Sequence, residues 1–240
     1  VNLQSPSSQL LFGEGVCWEL ESDLDFAKTM TVIGSLTVQG NGRVLAFADS
    51  KSLKVADKAS LELKNCKIKG VGDFVDASGR QATSIMCADS ARLLLNNVTC
   101  LLDTSWTFSS GSLDVVGNSL FKGIQKTFTY SSGANLTVNA HSSLTLTRGM
   151  VFQYASSAGR NKMLLTNQSS QLYFDGASFL CGTSGLTLTS GQLFLKGDVP
   201  FTTASLDQTK GFILDDSLLT VILNNSSLLV DGVVAHGQPV

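Results

Sequence analysis

Asn135 to Phe152 reads NLTVNAHSSLTLTRGMVF and holds one short phrase twice. Leu136-Thr137-Val138 returns eight residues later as Leu144-Thr145-Leu146, with small polar residues between, and Met150 to Phe152 adds a third apolar patch. Strict alternation over so short a run predicts half-buried strands. The Ser, Asn, Ala and His between them predict corners rather than tight Asn-Gly hairpins.

Working outward, the phrase recurs. Its leading copies start at Leu10, Met30, Leu53, Ile85, Leu113, Leu136, Met163, Leu186 and Ile213, 20 to 32 residues apart. A second copy follows each start by six to nine residues, from Trp18, Leu36 and Leu61 to Leu193 and Leu219. An aromatic patch comes third, at Phe26, Phe47, Phe74, Trp106, Phe128, Phe152, Phe179 and Phe201. Three strands per unit of this period predict an all-β chain wound as a right-handed parallel β-helix, a three-sided β-solenoid of about nine coils. One coil cannot bury its own Leu and Val, but coils stacked at about 4.8 Å bury them in a column roughly 40 Å long.

The 240 residues then form a single domain: an acidic first coil over 1–29, regular coils over 30–212, and an apolar last coil and tail over 213–240. Composition agrees. Charged residues are 15% of the chain, against about 25% in ordinary globular proteins, and Gly is plentiful at 22. A net charge of −2 with no basic run excludes a nucleic-acid footprint. No apolar run approaches the length of a membrane span. The first residue is Val, so the chain reads as a processed product or a piece cut from something longer.

The corners carry further expectations. Asn65 and Asn97 share an offset within their coils and should stack and hydrogen-bond. Asp57 and Asp89 also share one; ordinary solvated corners explain them, and no metal is expected. The long connections from Phe74 to Ile85, Phe152 to Met163 and Phe201 to Ile213 should project from one edge. They carry Asp76, Arg80, Tyr154, Arg160, Lys162, Asp207 and Lys210. The five Cys form no CxxC pair and read as small core residues; a Cys66–Cys100 disulfide is the alternative.

Three features mark candidate binding surfaces. From Val16 to Phe26 the apolar residues, Trp18 among them, share one parity, and Glu19, Glu21, Asp23 and Asp25 share the other. This is either a soluble edge or a charged docking face. From Ser217 to Val230 no charge occurs, so Leu219, Val221, Leu228 and Val230 belong to an end that another coil would cover. Between the ends, Leu94, Phe121, Tyr173 and Phe194 take outward positions of the second phrase and form an apolar stripe broken by Thr145. The chain's own first residues, around Leu3 to Phe12, are the other occupant of that stripe.

Chemistry is sparse. His141 and His236 are the only histidines and have no Asp or Cys partner by spacing. No nucleophile elbow, phosphate loop or HExxH motif is present. Neither catalysis nor a cofactor is expected.

Phrases such as SSLTLT, ANLTVNA, SGLTLTSGQLFLKG and NSSLLVDG resemble the repeats of right-handed parallel β-helix proteins of bacterial surfaces, the filamentous-haemagglutinin and autotransporter-passenger type. The resemblance implies an extracellular or cell-surface location and a structural or adhesive role. The expected function is a non-catalytic building block of a filament or surface layer. Its partner is a second copy, head to tail through the terminal coils, or another surface protein. The alternative is a carbohydrate-binding or carbohydrate-active β-helix similar to pectate lyases and tail spikes, with a glycan as ligand.

Overall fold

The structure, a computed structural model, describes residues 11–12, 14–197, 199–203, 212–214, 218–224, 227–230 and 233–236. It is a parallel β-solenoid of about seven turns, and among the described residues one short 3-10 turn at Ser156–Ala158 is its helical content. Each turn runs through three sides. The fifth, for example, uses Trp106–Phe108 on side one, Ser112–Val116 on side two and Asn118–Lys122 on side three.

About seven turns stand where nine coils were expected. The phrases counted at the two ends are rungs only partly within the described residues. Turns described without a gap run from Met30 to Lys196. Beyond Leu219–Asn224 the last two strands, Ser227–Val230 and Val233–His236, pair antiparallel with each other, so the parallel progression stops there.

Side three is continuous. Leu24–Phe26, Val44–Phe47, 66–71, 98–102, Asn118–Lys122, Ser143–Thr147, Gln171–Asp175, Gly191–Lys196 and Leu219–Asn224 pair in parallel, each with the next. Sides two and three share two long strands, Ser60–Val71 and Arg92–Leu102, which bend at Asn65 and Asn97. Both asparagines are left-handed, at φ 51° and 55°, a conformation their short polar side chains tolerate. Asn97 Nδ2 donates to Asn65 Oδ1 at 3.2 Å, which is the stack expected of them. The next turn puts Gly117 in the same place at φ 64°, where a Cβ would lie 2.2 Å from Asn97 Oδ1. Only glycine fits under that amide.

The core is one column with two compositions. Side one contributes Met30, Leu53 and Ile85 in turns two to four, then Trp106, Phe128, Phe152 and Phe179. Those rings follow one another at 5.1, 5.5 and 5.5 Å between centroids. A second file, Phe108, Tyr130 and Tyr154, stacks at 5.8 and 6.0 Å. Tyr154, expected in a projecting loop, is fully buried; its hydroxyl donates to Gly159 O and accepts from the Lys162 N–H, tying the loop from within. The Trp106 indole N–H is buried without a hydrogen-bond partner.

The cysteines are thiols; Cys66, Cys100 and Cys181 are buried and Cys87 half-buried as core residues, but Cys17 is exposed because it takes an outward position of its strand, which corrects the expectation for that one. Register places Cys66 opposite Val98 and Cys100 opposite Ile68. The two are therefore diagonal neighbours, about 7–8 Å apart and beyond the roughly 6.8 Å limit for a disulfide. Burial pushes the Cys66 and Cys87 thiols up to about 12 and Cys181 up to about 11.

The ladder breaks twice, by one mechanism. On side one, Ile85–Cys87 pairs below with Leu53–Val55 but not with Trp106–Phe108. A hairpin, Asp73–Val75 with Gln81–Thr83, leaves the chain before that rung. Its Asp73 N–H donates to Ser105 O, and its carboxylate accepts from the Thr107 N–H (3.0 Å) and hydroxyl (2.7 Å). On side two, Met163–Leu165 and Leu186–Leu188 belong to different sheets, and the Thr187 N–H donates to the Arg160 carbonyl of the preceding loop. In both places a loop residue takes a ladder position. The hairpin leaves from the edge between sides three and one, the Arg160 loop from the edge between one and two. The expectation of a single loop-bearing edge is thus corrected; residues 204–211 lie outside the described residues.

Candidate functional site

The outer face of side three is organised in three lengthwise rows. Next to the corner with side two run Asn97, Asn118, Ser143, Gln171 and Gln192. Ser143 Oγ donates to Asn118 Oδ1 at 2.9 Å and Gln171 Nε2 to Gln192 Oε1 at 3.0 Å. The middle row is Leu120, Thr145, Tyr173, Phe194 and Ile222, which register places opposite one another. The third row holds Lys122, Thr147, Asp175 and Lys196, with Lys196 Nζ 3.4 Å from Asp175. Tyr173 and Phe194 are half-buried and stack face to face at 5.2 Å and 16°.

The predicted stripe needs two corrections. Phe121 is not on this face: it is fully buried between Trp106 (5.7 Å) and Phe128 (4.9 Å). The inward position two before it holds Ser119, 1% exposed, whose hydroxyl accepts from the Val98 N–H. With a polar residue pointing inward, the alternation reads one residue out of step, and a one-residue slip exchanges the faces. Leu94 lies on side two, between Glu62 and Asp114, with Asp114 paired to Arg92. Only Tyr173 and Phe194 of the expected four come together.

The acidic parity of the first turn is present, but as two strands around a corner rather than one flat face. Glu19 points out from side two and Asp25 from side three; Glu21 and Asp23 occupy the bend between them, and all four are exposed. Asp23 Oδ1 accepts from the Val44 N–H at 2.9 Å, so one of the four fastens the next turn. Trp18 points inward, edge-on to Phe26 at 6.4 Å. Leu219 and Val221 face inward on the last rung and are half-buried against the core. The side chains of Leu228 and Val230 lie outside the described residues.

One concave site escaped the sequence. A cleft of about 670 Å³ opens at the corner between sides two and three, beside the break in side two. His141 lines it from the sixth turn, Thr166 to Ser169 from the seventh, Thr189 and Ser190 from the eighth, and Leu218 from the ninth. It exists because the corners differ in length. The seventh turn spends 166–170 between Leu165 and Gln171, while the eighth spends only 189–190 between Leu188 and Gly191. Gly191, at φ 93°, makes the short cut: a Cβ there would lie 2.5 Å from Leu165 Cβ. The two corner lengths were legible in the sequence; that one overhangs the other was not. Among the described residues no group of three or more His, Cys, Asp or Glu could hold a metal.

No protein-family model, curated protein or solved structure matches this chain. The β-solenoid rests on the chain's own geometry.

Proposed function

We propose that this chain is a structural, non-catalytic β-solenoid that works outside the cell or at its surface, adding head to tail through its first and last rungs. One observation carries the reading. Inward residues within the column are sealed: Leu36 is 2% exposed, and Leu193 and Leu195 are 0% and 1%. The equivalent residues of the end rungs, Val16, Trp18 and Leu24 at one end and Leu219, Val221 and Leu223 at the other, are only half-buried against the same core. A rung has two neighbours in a column and one at an end, so each end still offers apolar surface to a further coil. Joining unlike ends gives a heterologous contact that repeats without closing.

Surface location and the haemagglutinin-like role rest on the repeat phrases. The core is compatible with them, because Cys66, Cys100 and Cys181, held as buried, protonated thiols, are poor targets for oxidants, Cys17 being the exposed exception. Side three adds a lateral contact for a neighbouring protein. Its paired rings turn their faces to each other along the axis, so they offer edges rather than the open platform a sugar ring stacks on.

The test is light scattering with negative-stain electron microscopy on concentrated protein. Fibres with an axial repeat of roughly 35–45 Å, one column length at strand spacing, are expected. Val221→Glu should return them to single rods without loss of the β signal in circular dichroism. Rods that stay monomeric at high concentration would end the head-to-tail reading.

A further inference from the structure

We propose that the cleft between sides two and three binds a neutral glycan. Among the described residues no Lys, Arg, Asp or Glu lines it, so these offer no counter-charge to a phosphate, a carboxylate or a cation. Leu218, 47% exposed, is the one large apolar residue among the described ones that line it, too little for an apolar ligand. The remainder are hydroxyls, amides and one imidazole, groups that both donate and accept. Sugar hydroxyls have that same dual character, and the C–H face of a pyranose suits a single aliphatic contact.

The rim is held in place by its own bonds. Asn167 Oδ1 accepts from the Ser169 N–H at 2.9 Å and from its hydroxyl at 2.7 Å, and the His141 N–H donates to Ser169 Oγ at 2.9 Å. Three side chains are left to face a ligand. The Gln168 amide, the Thr189 hydroxyl and the His141 imidazole make no hydrogen bond among the described residues. A peptide fits less well. Adding a strand needs free backbone groups, and the N–H groups of Thr166, Ser170, Gly191 and Gln192 are already spent on other turns or on the corner itself. The volume lies within the usual range for a small-ligand site, roughly 300–1,000 Å³, and its open form suits a short stretch of a longer chain.

The chain has two histidines, so the imidazole resonances make a simple reporter. The probes are neutral pentaoses of α- and β-linked glucose, xylose, mannose and galactose. At least one should shift the His141 resonance saturably and leave His236 in place, with His141→Gln assigning the peak. Thr189→Arg, which fills the cleft, should weaken that binding about tenfold or more, whereas Ile124→Ser, remote on another edge, should not. Circular dichroism confirms that both variants fold. The proposal is overturned if no pentaose moves His141, or if the shift survives Thr189→Arg. It is equally overturned if polygalacturonate or a Ser/Thr-rich peptide binds there more tightly than every neutral sugar. Light scattering reads assembly separately, so loss of this site leaves the head-to-tail reading standing.

Discussion

Turns two to four and turns five to eight follow one path with different materials. The earlier turns fill side one with Met30, Leu53 and Ile85, and turns three and four close the corner between sides two and three with single left-handed asparagines. The later turns fill the same side with contacting rings, stacked at Phe128–Phe152 and edge-on at Phe152–Phe179, and from the sixth turn use corners of two to five residues between sides two and three. Aliphatic side chains interdigitate in any order. Rings in contact from rung to rung demand that successive rungs stay aligned. The aromatic half therefore keeps side one unbroken from Trp106 to Thr203, and the break falls where the two packings meet. Asp73 bridges it.

Core truncation should separate the halves most. Phe152→Ala removes a ring that touches Phe128, Phe174 and Phe179, and should cost about 3–5 kcal/mol, against about 2–5 for Leu61→Ala in the aliphatic half. Urea unfolding followed by Trp106 fluorescence in a Trp18→Phe background measures both. Equal losses would mean that ring stacking adds nothing beyond buried area. Next comes the joint. Asp73→Ala strips the carboxylate from the Thr107 N–H and hydroxyl and should cost about 1.5–3 kcal/mol, the range for hydrogen bonds to charged groups. Hydrogen exchange at Thr107 should rise more than at Leu61; a uniform rise would show that the two halves unfold as one. The smallest effect belongs to the asparagine corner. Asn97→Gly keeps the left-handed φ and loses the bonds to Asn65 and to the Asn118 N–H, so about 0.5–1.5 kcal/mol is expected by the same unfolding measurement. A loss as large as that of Phe152→Ala would mean the corner, not the core, sets the register.

Much of the column was legible. The alternation at Leu136-Thr137-Val138 and Leu144-Thr145-Leu146 marks strands whose inward residues are buried as expected, and the asparagine stack follows from equal offsets. Which side a phrase occupies was not. Met30, Leu53 and Ile85 start on side one, but Leu113 and Leu136 lie on side two, because register pairs Leu113 with Leu93. An apolar-polar-apolar triplet looks the same on all three sides. Corners of one residue, at Asn97 and Gly117, let the count slip unseen. The site suffered for the same reason: Ser119 hid the inward parity of Phe121, while Tyr173 and Phe194, in strands of regular alternation, were placed correctly.

Periodicity is local chemistry, and the sequence alone therefore determined that this chain is all-β, repetitive and sealed by its own stacking. Registration between turns depends on corner lengths summed along the chain and on which loop residue enters the ladder. Only the tertiary structure decided that Asp73 and Arg160 interrupt two sides, that one stripe of rings faces outward while another is the core, and that a five-residue corner overhangs a two-residue one to leave a cleft.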